Sequence, residues 1–285
     1  MKKRKITFRV SDEEYDEIQK KAEKFHFSSV SEFCRMSAFA SNDFKMFSTP
    51  KVKEQITWTE ERKSEFVTCK NDIIYFADRF CNLNIRSYQK PLLTTMEKNG
   101  TILLSGPRRC GITTMGCVKI VHHALFSENK QTIVIKSHSS YNSKSILENI
   151  KSLYHKLPIY LKKGISNSLT NELIFDDGTG ITITNNSMRG LSIDLLFWDN
   201  CGHDGNFEDE EFIVNYSLNQ NSKLILSCSG ERRGLMKLKW DRPTESTHKC
   251  FIEWRDVYPS DFKETTIKLI GENSWKKEYE FSTSN

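Results

Sequence analysis

Chemistry in this chain is concentrated in one turn, Gly106-Pro107-Arg108-Arg109-Cys110-Gly111-Ile112-Thr113, and in one acid far downstream, Asp199. The turn follows an apolar run at 101–105 and opens a helical stretch at 113–126. Two glycines at this spacing, at the start of a helix, let consecutive backbone amides converge on a phosphate, where the helix dipole also favours negative charge. A lysine normally follows the second glycine in such a turn and neutralises phosphate charge; here that position is Ile112. Thr113 keeps the hydroxyl suited to Mg²⁺, and Arg108 and Arg109 are the nearby cations. Asp199 ends the apolar run 195–198 and would hold the metal through its water shell. A carboxylate at the next position would activate water, but Asn200 stands there, and an amide accepts no proton at neutral pH.

A sheet is needed to bring the turn and the acid together. Apolar runs at 101–105, 132–136, 195–198, 223–226 and 250–254 read as strands, and 113–126 and 144–154 as helices. A hairpin is expected from 172–175 through Asp176-Asp177-Gly178 to 181–184. Strands that are apolar throughout, alternating with helices, predict a parallel sheet covered on both faces. The expected class is therefore α/β and three-layered.

Composition narrows the rest. The chain has 285 residues, 37% hydrophobic and 28% charged, with 6 Pro and 13 Gly, which excludes collagen-like or long disordered tracts. No apolar run reaches the roughly 18 residues of a membrane span. The basic start, residues 1–5, leads into a charged amphipathic stretch rather than an apolar core, so no signal peptide is expected. The eight cysteines form no C-x-x-C pair and have no histidine at zinc spacing, which predicts buried thiols in a reducing compartment. His122 and His123 read as packing and surface residues. A net charge of +5 is too small to establish a polyanionic partner unless it is locally concentrated.

Such concentration occurs at the N-terminus. Residues 5–10 alternate polar and apolar; Ser11-Asp12 offers helix caps, and Tyr15, Ile18, Ala22 and Phe25 follow at helical spacing. A second cap cluster, Ser28-Ser29-Val30-Ser31, opens another helix with Glu32, Phe33 and Met36. Residues 1–45 are too few to bury a core alone, so the strand requires a partner, most simply a second copy. The pattern over residues 4–40 resembles a ribbon-helix-helix DNA-binding domain, whose dimeric ribbon enters the major groove. The resemblance implies that Lys5, Thr7 and Arg9 face double-stranded DNA and that amides near Ser29 and Ser31 clamp a phosphate. Ile6, Phe8 and Val10 would face the core, and Lys2, Lys3 and Arg4 would form a phosphate-seeking arm. The alternative is a solvated edge strand with a basic tail. Residues 46–65 read as a polar linker closing with a short helix, and 66–285 as the large domain.

From 73 to 281 the chain resembles the ATPase domain of tailed-phage large terminase subunits. Ser87-Tyr88-Gln89 resembles the adenine-recognising segment ahead of the P-loop, and Arg108 an arginine of that loop. Met188-Arg189-Gly190 through Asp199-Asn200-Cys201, with Asn206-Phe207, resembles the Walker B region. Lys136-Ser137-His138 falls in the segment after the second strand, and Ser227-Cys228-Ser229-Gly230 on the coupling motif. Trp254 and a helix over 271–279 follow the same pattern. The resemblance implies a P-loop NTPase fold binding ATP through Tyr88, Gln89, Gly106, Arg108, Arg109, Gly111, Ile112, Thr113 and Thr114. Mg²⁺ would lie on Thr113 and Asp199, with Arg108 and the degenerate position Asn200 at the catalytic centre. It further implies the cytoplasm of an infected host cell and, as partners, another terminase subunit, a nuclease or a portal. No acidic cluster after residue 265 suits a two-metal nuclease, so no nuclease domain is expected. With lysine and the catalytic carboxylate missing, impaired or absent hydrolysis is expected. The alternative is a non-enzymatic DNA-binding regulator or decoy built on the same fold.

Overall fold

The computed structural model describes residues 58–184, 188, 190–201, 211 and 214–280, with isolated positions between 15 and 30. The chain divides into two units, Met1–Gln55 and Ile56–Asn285, and every element labelled below belongs to the second.

Three helices lead into the sheet: α1 (Glu60–Asn71), α2 (Ile73–Phe80) and α3 (Lys90–Glu97). Thr59 caps α1 by accepting from the Arg62 amide, and the helix begins within the segment 46–65, expected to close with a short helix. Asp72 ends α1 and caps α2 through the amides of Ile74 and Tyr75. Then follow β1 (Gly100–Gly106), α4 (Ile112–Phe126), β2 (Thr132–Ser137) and α5 (Ser140–Lys156). A small antiparallel group comes next: β3 (Ile165–Ser168), β4 (Glu172–Phe175) and β5 (Gly180–Ile183). The remaining elements are β6 (Ile193–Asp199), β7 (Leu218–Ser229), α6 (Gly234–Asp241), β8 (Thr247–Phe251), α7 (Trp254–Val257), α8 (Phe262–Ile270) and α9 (Glu272–Glu278).

The strands form one sheet in the order β3-β4-β5-β2-β6-β7-β1-β8. From β5 to β8 all neighbours pair in parallel, and the expected hairpin β4–β5 adds an antiparallel edge. Side-chain alternation explains the continuous apolar runs. Ile102, Leu104, Leu195 and Phe197 enter the core under α1–α5, whereas Leu103, Leu196 and Trp198 enter the core on the other face with Leu235 and Met236. The three-layer α/β expectation is met. One strand is shorter than expected: β8 ends at Phe251, and Trp254 opens α7, where its ring meets Trp275 at 5.2 Å. The apolar run 250–254 continues past the strand because it serves a helix-packing site as well as the sheet.

Gly116 shows how closely α4 lies on the sheet. A Cβ there would stand 2.4 Å from the Phe197 ring, so only glycine permits this approach. Beneath the sheet, α4 carries Lys119, His122 and His123 into the interior. His122 Nε2 donates to the Cys69 carbonyl at 2.8 Å, and its ring packs on Phe126 at 4.8 Å. His123 is half-buried, and its Nε2 pairs with Gln131 Oε1 at 3.0 Å. Burial, reinforced by the charge of Lys119, pushes both imidazoles down to about 4. Lys119 meets Glu97 at 2.6 Å, while Lys223 Nζ donates to the carbonyls of Met96 and Glu97 at 2.8 and 2.9 Å and so closes the end of α3. The seven cysteines among the described residues are free and buried. No described helix is long and apolar enough to cross a membrane.

Candidate functional site

At the C-terminal end of β1 the chain turns through residues 107–111 into α4. Arg109 and Gly111 both take left-handed backbone conformations, with φ of 61° and 91°. At Gly111 a side chain would also run into Gln89, whose Nε2 would lie 2.4 Å from the added Cβ. Gln89 instead braces the turn: its Nε2 donates to the Cys110 carbonyl at 3.1 Å, and its Oε1 accepts from the Arg86 amide at 3.1 Å. The second glycine is thus required by its left-handed backbone conformation.

The end of β6 meets this turn because β6 and β1 both pair with β7. Thr113 Oγ1 donates to Asp199 at 3.0 Å, and Ser227 Oγ, from β7, donates to the same carboxylate at 2.8 Å. These groups share a cleft of about 250 Å³ with Arg109, Gly111, Ile112 and Thr114. Burial raises the Asp199 carboxyl above the ordinary range; its hydrogen bonds to Ser227 and Thr113, and the charge of His138, oppose that rise. The donor set therefore suits a divalent cation: a carboxylate short of positive charge beside a hydroxyl on the first turn of the helix. Among the described residues no group of three or more His, Cys, Asp or Glu suits a metal, so such an ion would take its other ligands from water and phosphate.

Asn200 sits in a left-handed conformation, φ 56°, which asparagine tolerates better than most residues. Its Oδ1 accepts from the Ser229 amide at 3.2 Å and from Ser229 Oγ at 3.1 Å, tying the end of β6 to the end of β7. Ile112 is only 6% exposed and belongs to the hydrophobic core while also lining the cleft. The Gly106 carbonyl accepts from the Gly230 amide at 3.2 Å.

Tyr88, Gln89, Arg109, Gly111 and Thr114 line a second hollow that adjoins the cleft across the loop. Arg108 is placed differently. Its Nε pairs with Glu278 at 2.5 Å and its carbonyl accepts from the Tyr258 hydroxyl at 2.5 Å, away from the residues lining the cleft. Lys136 stacks over the Trp198 ring at 3.6 Å, and His138 Nδ1 lies 3.1 Å from Asn142 Nδ2. Ser227 and Ser229, which the resemblance places on the coupling motif, reach the site with hydrogen bonds to Asp199 and Asn200 that spacing alone does not reveal. Lys2, Lys3, Arg4, Lys5, Thr7, Arg9, Ser29 and Ser31 lie outside the described residues, as do Arg189 and Asn206-Phe207.

Residues 1–42 match a family model described as NikA-like, mobilization protein NikA. The fold is similar to that of phage large terminases. Against the HK97 bacteriophage large terminase the TM-score is 0.55 at 15% identity, covering 75% of this chain and 48% of that one. Against the large terminase ATPase domain of Thermus phage P74-26 it is 0.55 at 12% identity, covering 73% of this chain and 97% of that domain. A large terminase of a thermophilic bacteriophage, in complex with ATP-γ-S, aligns with a TM-score of 0.52 at 15% identity over 68% of this chain and 51% of its own. The chain spans about half the length of the full-size terminases it matches. The large unit thus has the fold of a phage terminase ATPase domain.

Proposed function

We propose that this chain is a terminase-like DNA-packaging protein that grips DNA with its N-terminal module and binds a Mg²⁺–nucleotide in the cleft, with hydrolysis impaired or absent. The observation that carries the reading is the 3.0 Å meeting of Thr113 and Asp199 under a loop that presents amides at the start of α4. Thr113 and Asp199 would hold the metal and the loop amides the phosphates; a bound Mg²⁺–triphosphate supplies the transferable phosphoryl group. What the chain lacks is equally specific. Ile112 offers no charge to the phosphates, and Asn200 Oδ1 is engaged by Ser229 rather than facing a water. The match to the mobilization-protein model falls on the same residues that the sequence assigns to DNA.

Titration of the full chain with a fluorescent ATP analogue, with and without Mg²⁺, tests this reading alongside phosphate release. Saturable, Mg²⁺-dependent binding is expected, with turnover about 100- to 10,000-fold below that of an intact terminase. Turnover at the intact level would contradict the impaired site. Absence of binding would favour the second reading, a DNA-binding regulator or decoy without nucleotide, which the engagement of Asn200 and Arg108 in internal contacts supports.

A further inference from the structure

At the C-terminal end of the sheet, three side chains stand abreast on the face covered by α4. Alternation along the strands puts Ser137 of β2 with Ile133 and Ile135, Asp199 of β6 with Leu195 and Phe197, and Ser227 of β7 with Ile225. The register agrees. Ser137 pairs with Asp199 across β2 and β6, and Ser227 Oγ reaches the same carboxylate from the β7 side at 2.8 Å. Neighbouring strands lie about 4.8 Å apart, so the carboxylate has a serine on each flank and the Thr113 hydroxyl from α4.

The two serines are used differently. Asp199 Oδ1 accepts from Thr113 at 3.0 Å and from Ser227, whereas Oδ2 takes the longer, 3.2 Å arm of the Thr113 bond. A carboxylate oxygen can accept two bonds, so Oδ2 has capacity left. Ser137 is buried, yet its Oγ has no hydrogen-bond partner among the described residues. Two tryptophan nitrogens share that condition but stand elsewhere. Trp198 Nε1 belongs to the opposite face of the sheet, and Trp275 Nε1 lies among the rings of the C-terminal helices. A hydroxyl kept from water without a partner weakens the fold, and its place beside a cation-seeking carboxylate gives it a use once an ion is bound.

We propose that Ser137 is a positioning residue of the cation site, its hydroxyl bonding a water of the ion's shell that Asp199 also holds. The inference rests on the Mg²⁺–nucleotide reading above. Mg²⁺ gives up its waters reluctantly, so groups that hold those waters fix the ion as effectively as direct ligands do. Ser227 and Thr113 orient the carboxylate in the metal-free protein. Ser137 has no such bond there and acts only when the site is filled, from the β2 side.

The affinity of the full chain for the fluorescent ATP analogue, in Mg²⁺ and in EDTA, tests the inference together with the melting midpoint in EDTA. Ser137→Ala is expected to weaken binding in Mg²⁺ about tenfold, the scale of a lost partner behind a metal's ligands, and to leave binding in EDTA unchanged. Its midpoint in EDTA should hold or rise, because the change removes a hydroxyl with no bond to lose. Wild-type affinity in Mg²⁺, an equal loss in EDTA, or a lower midpoint would each overturn the role of Ser137. A wild-type chain whose affinity is the same with and without Mg²⁺ would instead overturn the cation site, and this inference with it.

Discussion

A carboxylate withdrawn from water, as Asp199 is despite the hydroxyls of Thr113 and Ser227 and the charge of His138, destabilises the metal-free fold. Because its folded pKa lies above the ordinary value, its stabilising contribution is present at low pH and is lost as pH rises through the folded value. Holding the charged form in this buried place carries a cost, which a bound cation would remove. Asp199→Asn keeps an acceptor for both hydroxyls and eliminates that cost. Its melting midpoint without metal should rise by about 2–4 °C, near 1 kcal/mol, while Mg²⁺-dependent nucleotide binding disappears. A lower midpoint in thermal melting would refute this account. The neighbouring residue shows why the carboxylate lost at 200 is not simply a missing group. A glutamate there would occupy a left-handed conformation at about 1–2 kcal/mol and forfeit both bonds to Ser229.

Among the elements, α4 follows directly on the 107–111 turn and carries both imidazoles. With folded pKa values near 4, below the ordinary value, His122 and His123 stabilise the fold above about pH 6.5, and that stability is lost as pH falls toward 4. Urea unfolding should show a loss of up to about 4 kcal/mol between pH 7 and 5, about 2 kcal/mol from each imidazole. The double variant His122→Gln/His123→Gln should flatten that slope, and an unchanged slope would show that the imidazoles do not control it.

The strands that position the site were legible in the sequence because they are buried on both faces and therefore apolar throughout. β3, with the sequence Ile-Ser-Asn-Ser, was not, since an edge strand needs little apolar surface. The 106–113 turn and Asp199 were legible through spacing and local context. The engagement of Asn200 with Ser229 and of Arg108 with Glu278 was not, because each pair is joined only by the tertiary fold, 29 and 170 residues apart.

At the scale of the whole molecule, the chain divides into two units. The second has the fold of a packaging ATPase, while the proposed grip on DNA belongs to the first. If Arg9 reads base edges, Arg9→Ala should weaken binding to a specific site by about 1–3 kcal/mol and spare random sequence. Replacing Lys2 and Lys3 by alanine should weaken all DNA and lower the slope of log affinity against log salt by about 2. Mobility shifts unchanged by either substitution would reject the ribbon assignment. Inside the second unit, the notch at Gly116 filled by the Phe197 ring has a mechanical consequence. It keys the helix behind the phosphate loop to the strand that bears Asp199, so the two cannot slide past one another without a steric clash. If a ligand bound in the cleft drives a movement, that movement must involve the parts that border this rigid block, namely the loop itself and the C-terminal helices leaning on it.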